Sequence, residues 1–439
     1  MRRWLPASVV ISLTIVLAVV ARAAEPRAQL SVVTDRPDAL YSVGEKVQFQ
    51  VTLKKANRAV TEGEIGYIID KDGMPPVKQG RLKAAGGPLV VEGSLGEPGF
   101  LRCRVFYPAG SKQMITATAG AGIDPLGIKP SLGVPADFDA FWAAQKARLE
   151  AVPMKPALTP VKSPIAEIEC FDVQIPCVPP RPVSGYFARP AGAAPKSLPA
   201  ILHVQGAGVR SSNLGSAAGW AKQYQALSMD INAHGIPNGK PEQYYKDLSA
   251  GLLNDYRAVG REDREKCYFL GMFLRMQRAL DFLTGQPQWD GKILIVEGSS
   301  QGGGQSLAAA GLDPRVTMIA AGVPAICDHP GKVVGRINGW PKLVPDKDGK
   351  PDPQILQVAR YFDCMNFATR ARAEAILSVG FIDGTCPPSS VYAAYNNLPG
   401  KKQIVNKPLM THASPPDVRD AFAKAISEYL ARAKVGKRG

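Results

Sequence analysis

Five residues, Gly298-Ser299-Ser300-Gln301-Gly302, lie between the apolar run KILIV (292–296) and the small-residue stretch SLAAAGL (306–312), which can start a helix. A strand that turns this sharply into a helix brings backbone against backbone. Bulky residues flanking such a bend would clash, and glycine removes the clash. The apex residue is then held with its side chain exposed at the end of the sheet, which makes Ser300 the predicted nucleophile. The competing reading of the pentapeptide is an ordinary strand-to-helix loop, and the residues that follow decide between them.

A serine hydroxyl near neutral pH needs a base, usually histidine, and that histidine needs an acid to fix its tautomer. The chain has only four histidines. In sheets that carry this turn the chain order is nucleophile, acid, base. Position therefore excludes His203 and His234. His329 precedes any later strand able to deliver an acid, which leaves His412. The run AEAILSVGFID (373–383) reads as a buried parallel strand ending in Asp383, and KKQIVNKPLMTH (401–412) contains a second strand ending near the histidine. Parallel strands place their carboxyl ends on one edge of the sheet, where sites form. Ser300, Asp383 and His412 are expected to converge there. The competing readings are an N-cap for Asp383, since SSVYAAYNNL (389–398) follows closely, and a surface loop for His412.

Charge developing on a substrate carbonyl oxygen needs preorganised N–H donors. One is expected from Gln301, after the nucleophile, and one from a loop after an early strand. SLPAILHVQGAGVRSS (197–212) fits that strand, with Ala207 as the second donor and Gln205 as the alternative.

At this point the chain resembles the acetyl xylan esterase and cephalosporin C deacetylase family of α/β-hydrolases. The resemblance rests on S-Q-G-G-G at Ser300 to Gly304, D-x-x-C-P-P at Asp383 to Pro388, the late His412, and the lead-in VPADFDAFWAAQKARLE (134–150). It spans about 134 to 432. It implies an α/β-hydrolase fold, a mostly parallel sheet flanked by helices, and acetyl groups on xylan, xylo-oligosaccharides or related small esters as substrate. It also implies that Cys386 packs near the acid loop without doing chemistry, and that a homo-oligomer is possible. Two segments depart from the family. Its usual H-G-Y at the oxyanion loop reads Gln205-Gly206-Ala207 here. Its Asp-x-Arg-Gly-x-Gly reads Asp230-Ile231-Asn232-Ala233-His234-Gly235.

Upstream the texture changes. The N-terminus has two arginines, an apolar stretch and Ala21-Arg22-Ala23, the pattern of a secretory signal peptide over 1–24, cut after Ala23 or Ala24. That implies a secreted or periplasmic protein with no membrane contact after cleavage; an uncleaved anchor is the alternative. AQLSVVTDR, EKVQFQVTLKK, GEIGYIIDK, GPLVVEGSL and GFLRCRVFYPA alternate apolar and polar residues between turn signals, as antiparallel strands do. The expected organisation is thus an Ig-like β-sandwich over 25–130, acting as spacer or lid, followed by a catalytic domain over 131–435. The Pro-rich stretch VPMKPALTPVKSP (152–164) belongs to the catalytic unit.

At 439 residues and 45% hydrophobic content the chain can bury a large core. Its formal charge of +15 is spread along the chain without a basic stripe interleaved with aromatics, which argues against a nucleic-acid partner. Seven cysteines cannot all pair with one another; Cys170 and Cys177 are close enough to close a small loop, and no spacing suggests a metal site. Acyl transfer to water through the three residues needs no cofactor. The rival readings are an esterase for a glucuronoyl or feruloyl linkage, a serine peptidase, and a non-catalytic glycan-binding protein on the same scaffold.

Overall fold

The protein is described by a computed structural model, which covers residues 28–109 and 113–435. The expected signal peptide lies outside the described residues. Among those described, no helix is long and apolar enough to cross a membrane.

The first part of the chain is all strand: β1 (Ala28–Thr34), β2 (Leu40–Tyr41), β3 (Val47–Lys55), β4 (Arg58–Ala59), β5 (Glu64–Lys71), β6 (Pro76–Lys83), β7 (Leu89–Gly93), β8 (Gly99–Pro108) and β9 (Met114–Ile123). One sheet joins β1, β3, β4 and β7, and the other runs β2-β9-β8-β5-β6. In β3 Val47, Phe49, Val51 and Leu53 alternate with outward polar residues, the two-residue period of a half-buried strand. They meet Ile65, Ile69, Leu101, Cys103 and Val105 of the other sheet in one apolar cluster. The five strands read from alternation are present; the two-residue β2 and β4, and β6 and β9, escaped it. PVKQGRLK in β6 is an edge strand without a buried residue, and ITATAGAG in β9 has side chains too small to register as a hydrophobic face.

The rest is built on a nine-stranded sheet in the order β10 (Ala157–Val161), β11 (Ile168–Ile175), β12 (Val183–Pro190), β14 (Leu227–Ile231), β13 (Leu198–Val204), β15 (Trp289–Ser299), β16 (Met318–Gly322), β19 (Glu374–Gly380), β20 (Lys402–Lys407). From β14 to β20 the pairing is parallel. A small hairpin, β17 (Asp346–Lys347) and β18 (Lys350–Pro351), lies outside it. The Pro-rich 152–164 stretch is not only a connection: it supplies β10, where Pro160 is tolerated because an edge strand leaves one row of N–H groups unused.

Both faces of the central strands are covered, so they read as continuous apolar runs. Leu202, Val296, Ile319 and Leu377 face one core, packed by α4 (Tyr268–Thr284), α5 (Gln301–Leu312) and α8 (Pro388–Asn397), with α1 (Phe138–Glu150) alongside. Their neighbours Ile201, Ile295, Met318 and Ile376 face the other, under Tyr224 of α2 (Leu214–Tyr224) and Val418, Phe422 and Ile426 of α9 (Pro416–Val435).

The all-strand part is not a detached spacer. Phe100 of β8 is fully buried in the core of the parallel sheet, with ring centroids 4.9 Å from Phe381 and 5.5 Å from Tyr392. Burying one such ring contributes about 1.5–3 kcal/mol. Gly120 of β9 donates its N–H to Pro408 O at 3.1 Å. A Cβ there would lie 2.5 Å from Phe381 Cβ, which explains why this strand needs glycine. Between the two parts sits a buried ionic node. Arg336 Nη1 lies 3.4 Å from Asp328 Oδ2, and its Nη2 donates to Lys129 O and Ser131 Oγ. Asp72, in the β5–β6 turn, faces the same guanidinium; burial raises its carboxyl to about 6.

Candidate active site

The bend after β15 places Ser300 at φ 59°, ψ −121°, a sparsely populated conformation for a residue with a side chain. Its N–H donates to Gly322 O at 2.8 Å, and its carbonyl accepts from Gly304 and Ala325. Gly298 and Gly302 permit the close approach. A Cβ on Gly302 would stand 2.1 Å from Val204 O, and one on Gly298 2.5 Å from the same oxygen. Helix α5 begins directly at Gln301, earlier than the alanine-rich stretch suggests, because Gly303 and Gly304 must pass close to the backbone of Gly322, Pro324 and Ala325.

Strands β19 and β20 bring the other two residues to the same edge. β19 ends at Gly380, three residues short of Asp383, and β20 at Lys407, so both groups ride on loops beyond the strand ends. Asp383 does not cap the following helix, which starts at Pro388 behind Pro387. Its Oδ1 instead accepts the Thr385 and Cys386 N–H groups at 2.7 and 2.9 Å. Its Oδ2 lies 2.8 Å from His412 Nδ1, and His412 Nε2 lies 2.9 Å from Ser300 Oγ. A carboxylate held by two amides and pointed at Nδ1 keeps the proton there, leaving Nε2 free to accept the serine proton.

The Gln301 N–H is the first of a helix N-terminus. Among the described residues neither it nor the Ala207 N–H meets a protein acceptor. Gly206 brings the facing loop in: a Cβ there would be 3.8 Å from Ser300 Cβ. Gln205 turns its carboxamide to Asp230 Oδ1 at 2.7 Å and Ser211 O at 3.2 Å, so its side chain braces the loop. Arg210 grips the Gly206 and Ala207 carbonyls at 2.9 Å each.

Two further side chains reach the segments that carry these N–H groups. Burial lowers His234 to about 4, so its imidazole is neutral; Nε2 donates to Gly208 O at 3.0 Å while Nδ1 accepts from Tyr268 OH at 2.7 Å. Tyr256 OH donates to Gln301 Oε1 at 2.9 Å, and its ring packs edge-on to His234, centroids 4.6 Å apart. Histidine thus stands in the segment that departs from the family pattern and ties it to the loop bearing Ala207. That departure was the only signal in the sequence for this support.

His203 and His329 stand outside the triad geometry. His329 is buried, its ring nitrogens without hydrogen-bond partners among the described residues, and burial lowers it to about 3. His203 lies between its cross-strand neighbours Asp230 and Glu297, hydrogen-bonded to Glu297 through Nδ1 and 3.6 Å from Asp230 through Nε2. Burial alone would lower His203, but the Glu297 and Asp230 carboxylates reverse this and raise it to about 9. The folded value lies above the unfolded 6.5, so this contribution to stability is complete below about pH 6.5 and is lost as pH rises through about 9. It amounts to the order of 2 kcal/mol after allowance for the exposed quarter of the side chain. Thermal unfolding measured between pH 6 and 10 should show that loss in the wild type and little of it in His203→Gln. Parallel curves would refute the assignment.

All seven cysteines are unpaired and buried, so Cys170 and Cys177 do not close a loop. They sit on and just beyond β11, where Cys170 packs in a separate cluster under α2. Cys386 lies against Ser300, and burial with the Asp383 charge beside it pushes the thiol well above its usual value. Asp383, Cys386 and His412 are the one set of three potential metal-ligand atoms among the described residues, within 4.8 Å of one another. His412 and Asp383 already satisfy each other there.

Residues 128–429 match the acetyl xylan esterase family. The chain is 28% identical over 384 residues to the acetyl esterase Axe7A of Xylanibacter ruminicola, covering 87% of this chain and 86% of that protein. Its fold is similar to that of an acetyl xylan esterase from a Paenibacillus species, with a TM-score of 0.59 and 28% identity over 69% of this chain and 98% of the other. It is similar also to acetyl xylan esterase 1 of a Thermoanaerobacterium species, with a TM-score of 0.58 and 23% identity over 70% and 96%, a likeness of fold. The match covers most of the chain and includes the strand ends carrying the site: this protein belongs to the acetyl xylan esterase family and is a carboxylic ester hydrolase acting on carbohydrate esters.

Proposed function

We propose that the protein is a serine esterase that removes acetyl groups from acetylated xylan, xylo-oligosaccharides or related small esters, with Ser300 as nucleophile, His412 as base and Asp383 as its orienting acid. The observation that carries this reading is the pair of hydrogen bonds, 2.9 and 2.8 Å, linking the three side chains in series. His412 Nε2 takes the hydroxyl proton as Ser300 Oγ attacks the acetyl carbonyl carbon, and Asp383 stabilises the imidazolium. The Gln301 and Ala207 N–H groups hold the oxyanion. Collapse of the tetrahedral adduct expels the sugar alkoxide, which takes the proton from His412. Water then attacks the acetyl-enzyme with His412 as base, releasing acetate and restoring Ser300.

In this reading residues 131–435 form the α/β-hydrolase domain, and the two N-terminal sheets an Ig-like sandwich within 25–130. The N-terminal leader sends the protein to the periplasm or outside the cell. Acetate release from acetylated xylan, run beside p-nitrophenyl acetate, butyrate and longer esters, tests the substrate. The expected result is steep loss of rate with acyl length and acetate release from the polysaccharide. Faster turnover of glucuronoyl or feruloyl esters, or of peptides, would overturn it.

A further inference from the structure

A shallow cavity of about 310 Å³ opens between the turn after α3 (Glu242–Ala250) and the loop ending at Trp340. Leu253, Tyr256 and Trp340 line it together with the polar Ser249, Asn254, Asp255 and Arg257. Two of these are tied to the candidate catalytic groups. Tyr256 holds the side chain of Gln301, the residue after the nucleophile. The Trp340 N–H donates to Thr385 O at 2.7 Å, in the loop of Asp383, and the Trp340 carbonyl accepts from Ile326, next to the Ala325 that hydrogen-bonds Ser300. The cavity is thus linked, through Tyr256 and Trp340, to the segments that carry Gln301 and Asp383.

We propose that this cavity is a glycosyl subsite, which seats a neutral sugar ring of the substrate while its ester lies at Ser300. The inference rests on the esterase reading above and names where its sugar binds. A pyranose has an apolar C–H face and a rim of hydroxyls that both donate and accept. It calls for an aromatic plate beside mixed polar groups. Trp340 is half-buried and supplies the plate. The Asn254 and Ser249 side chains are exposed. Arg257 and Asp255, paired at 2.7 Å, remain 47% and 57% exposed, a donor and an acceptor side by side.

Other ligand classes fit less well. A phosphate or uronate would seek an unpaired cation, and the one cation lining the cavity is neutralised by Asp255. A long acyl chain would need a continuous apolar wall, which four polar side chains interrupt. The volume stands at the lower end of ligand pockets, about 300–1,000 Å³, as suits a short piece of glycan rather than a long one.

The test compares kcat/KM on acetylated xylotriose with that on p-nitrophenyl acetate, which has no sugar. For Trp340→Ala, and for the exposed Asn254→Ala should the first variant fold poorly, the oligosaccharide value should fall about tenfold more than the p-nitrophenyl value, through KM. Trp340→Phe should recover part of the loss. Equal losses on both substrates, or none, overturn the subsite. Calorimetric titration of unacetylated xylotriose is independent of turnover. Binding to wild type that Trp340→Ala abolishes supports the subsite even if the wild type hydrolyses neither ester, an outcome that would sink the esterase reading alone. Binding unaffected by the substitution, or no binding to wild type at high millimolar sugar, refutes the subsite.

Discussion

Ser300→Ala is expected to lower kcat on p-nitrophenyl acetate by about 10⁴- to 10⁶-fold, the scale on which loss of a triad nucleophile acts. The substitution removes one atom, Oγ, whose protein hydrogen bond goes to His412. His412 keeps Asp383, and the backbone of the bend keeps its bonds to Gly322, Gly304 and Ala325. Alanine is as able as serine to hold the positive φ, so unfolding free energy should change by less than about 1 kcal/mol. Cys386 is no substitute nucleophile, because its thiol is held well above its usual value and stays protonated. Activity above about a hundredth of wild type in a folded variant would place the nucleophile elsewhere.

Arg336→Met should destabilise the protein by about 3–5 kcal/mol, read from denaturant unfolding. The guanidinium is almost wholly buried, and its partner Asp328 has no exposure. Asp328 Oδ1 also receives the Ser131 N–H at 3.0 Å, so it cannot turn to water. Without Arg336, Asp328 would stand uncompensated near Asp363, whose carboxyl is already raised to about 8 by burial and by the Asp328 charge. Breaking one side of a buried ion pair leaves the other charge unpaired, which costs far more than the pair is worth. The added change Asp328→Asn should therefore restore part of the loss. A single-variant loss below about 1 kcal/mol, or a double variant worse than the single, would contradict this account.

How much of this was legible in the sequence depended on the range of the interaction involved. The bend at Ser300 is written locally, since glycine at 298 and 302 answers a clash set by the fold's own geometry. The order of Ser300, Asp383 and His412 placed them on one edge because parallel strands leave no other arrangement, and their hydrogen bonds now stand at 2.8 and 2.9 Å. What failed to register was tertiary in origin. β9 carries glycine and alanine where Phe381 presses against it, so its sequence lacks the bulk that marks a strand. Pro160 in β10 reads as a breaker until the strand is seen to be an edge. His234 was set aside as a base by its position, and nothing local told that its ring would reach Gly208 across the site. Cys170 and Cys177 were near in sequence, yet the β11 backbone carries them to different environments.

Gly120 bonded to Pro408 and Phe100 against Phe381 have a practical consequence. The peptide segments carrying Asp383 and His412 rest on β8 and β9, so a chain trimmed to the residues from 131 onward would lose their floor along with those strands. Heat inactivation and melting of the amino-terminal strands should then coincide as one event.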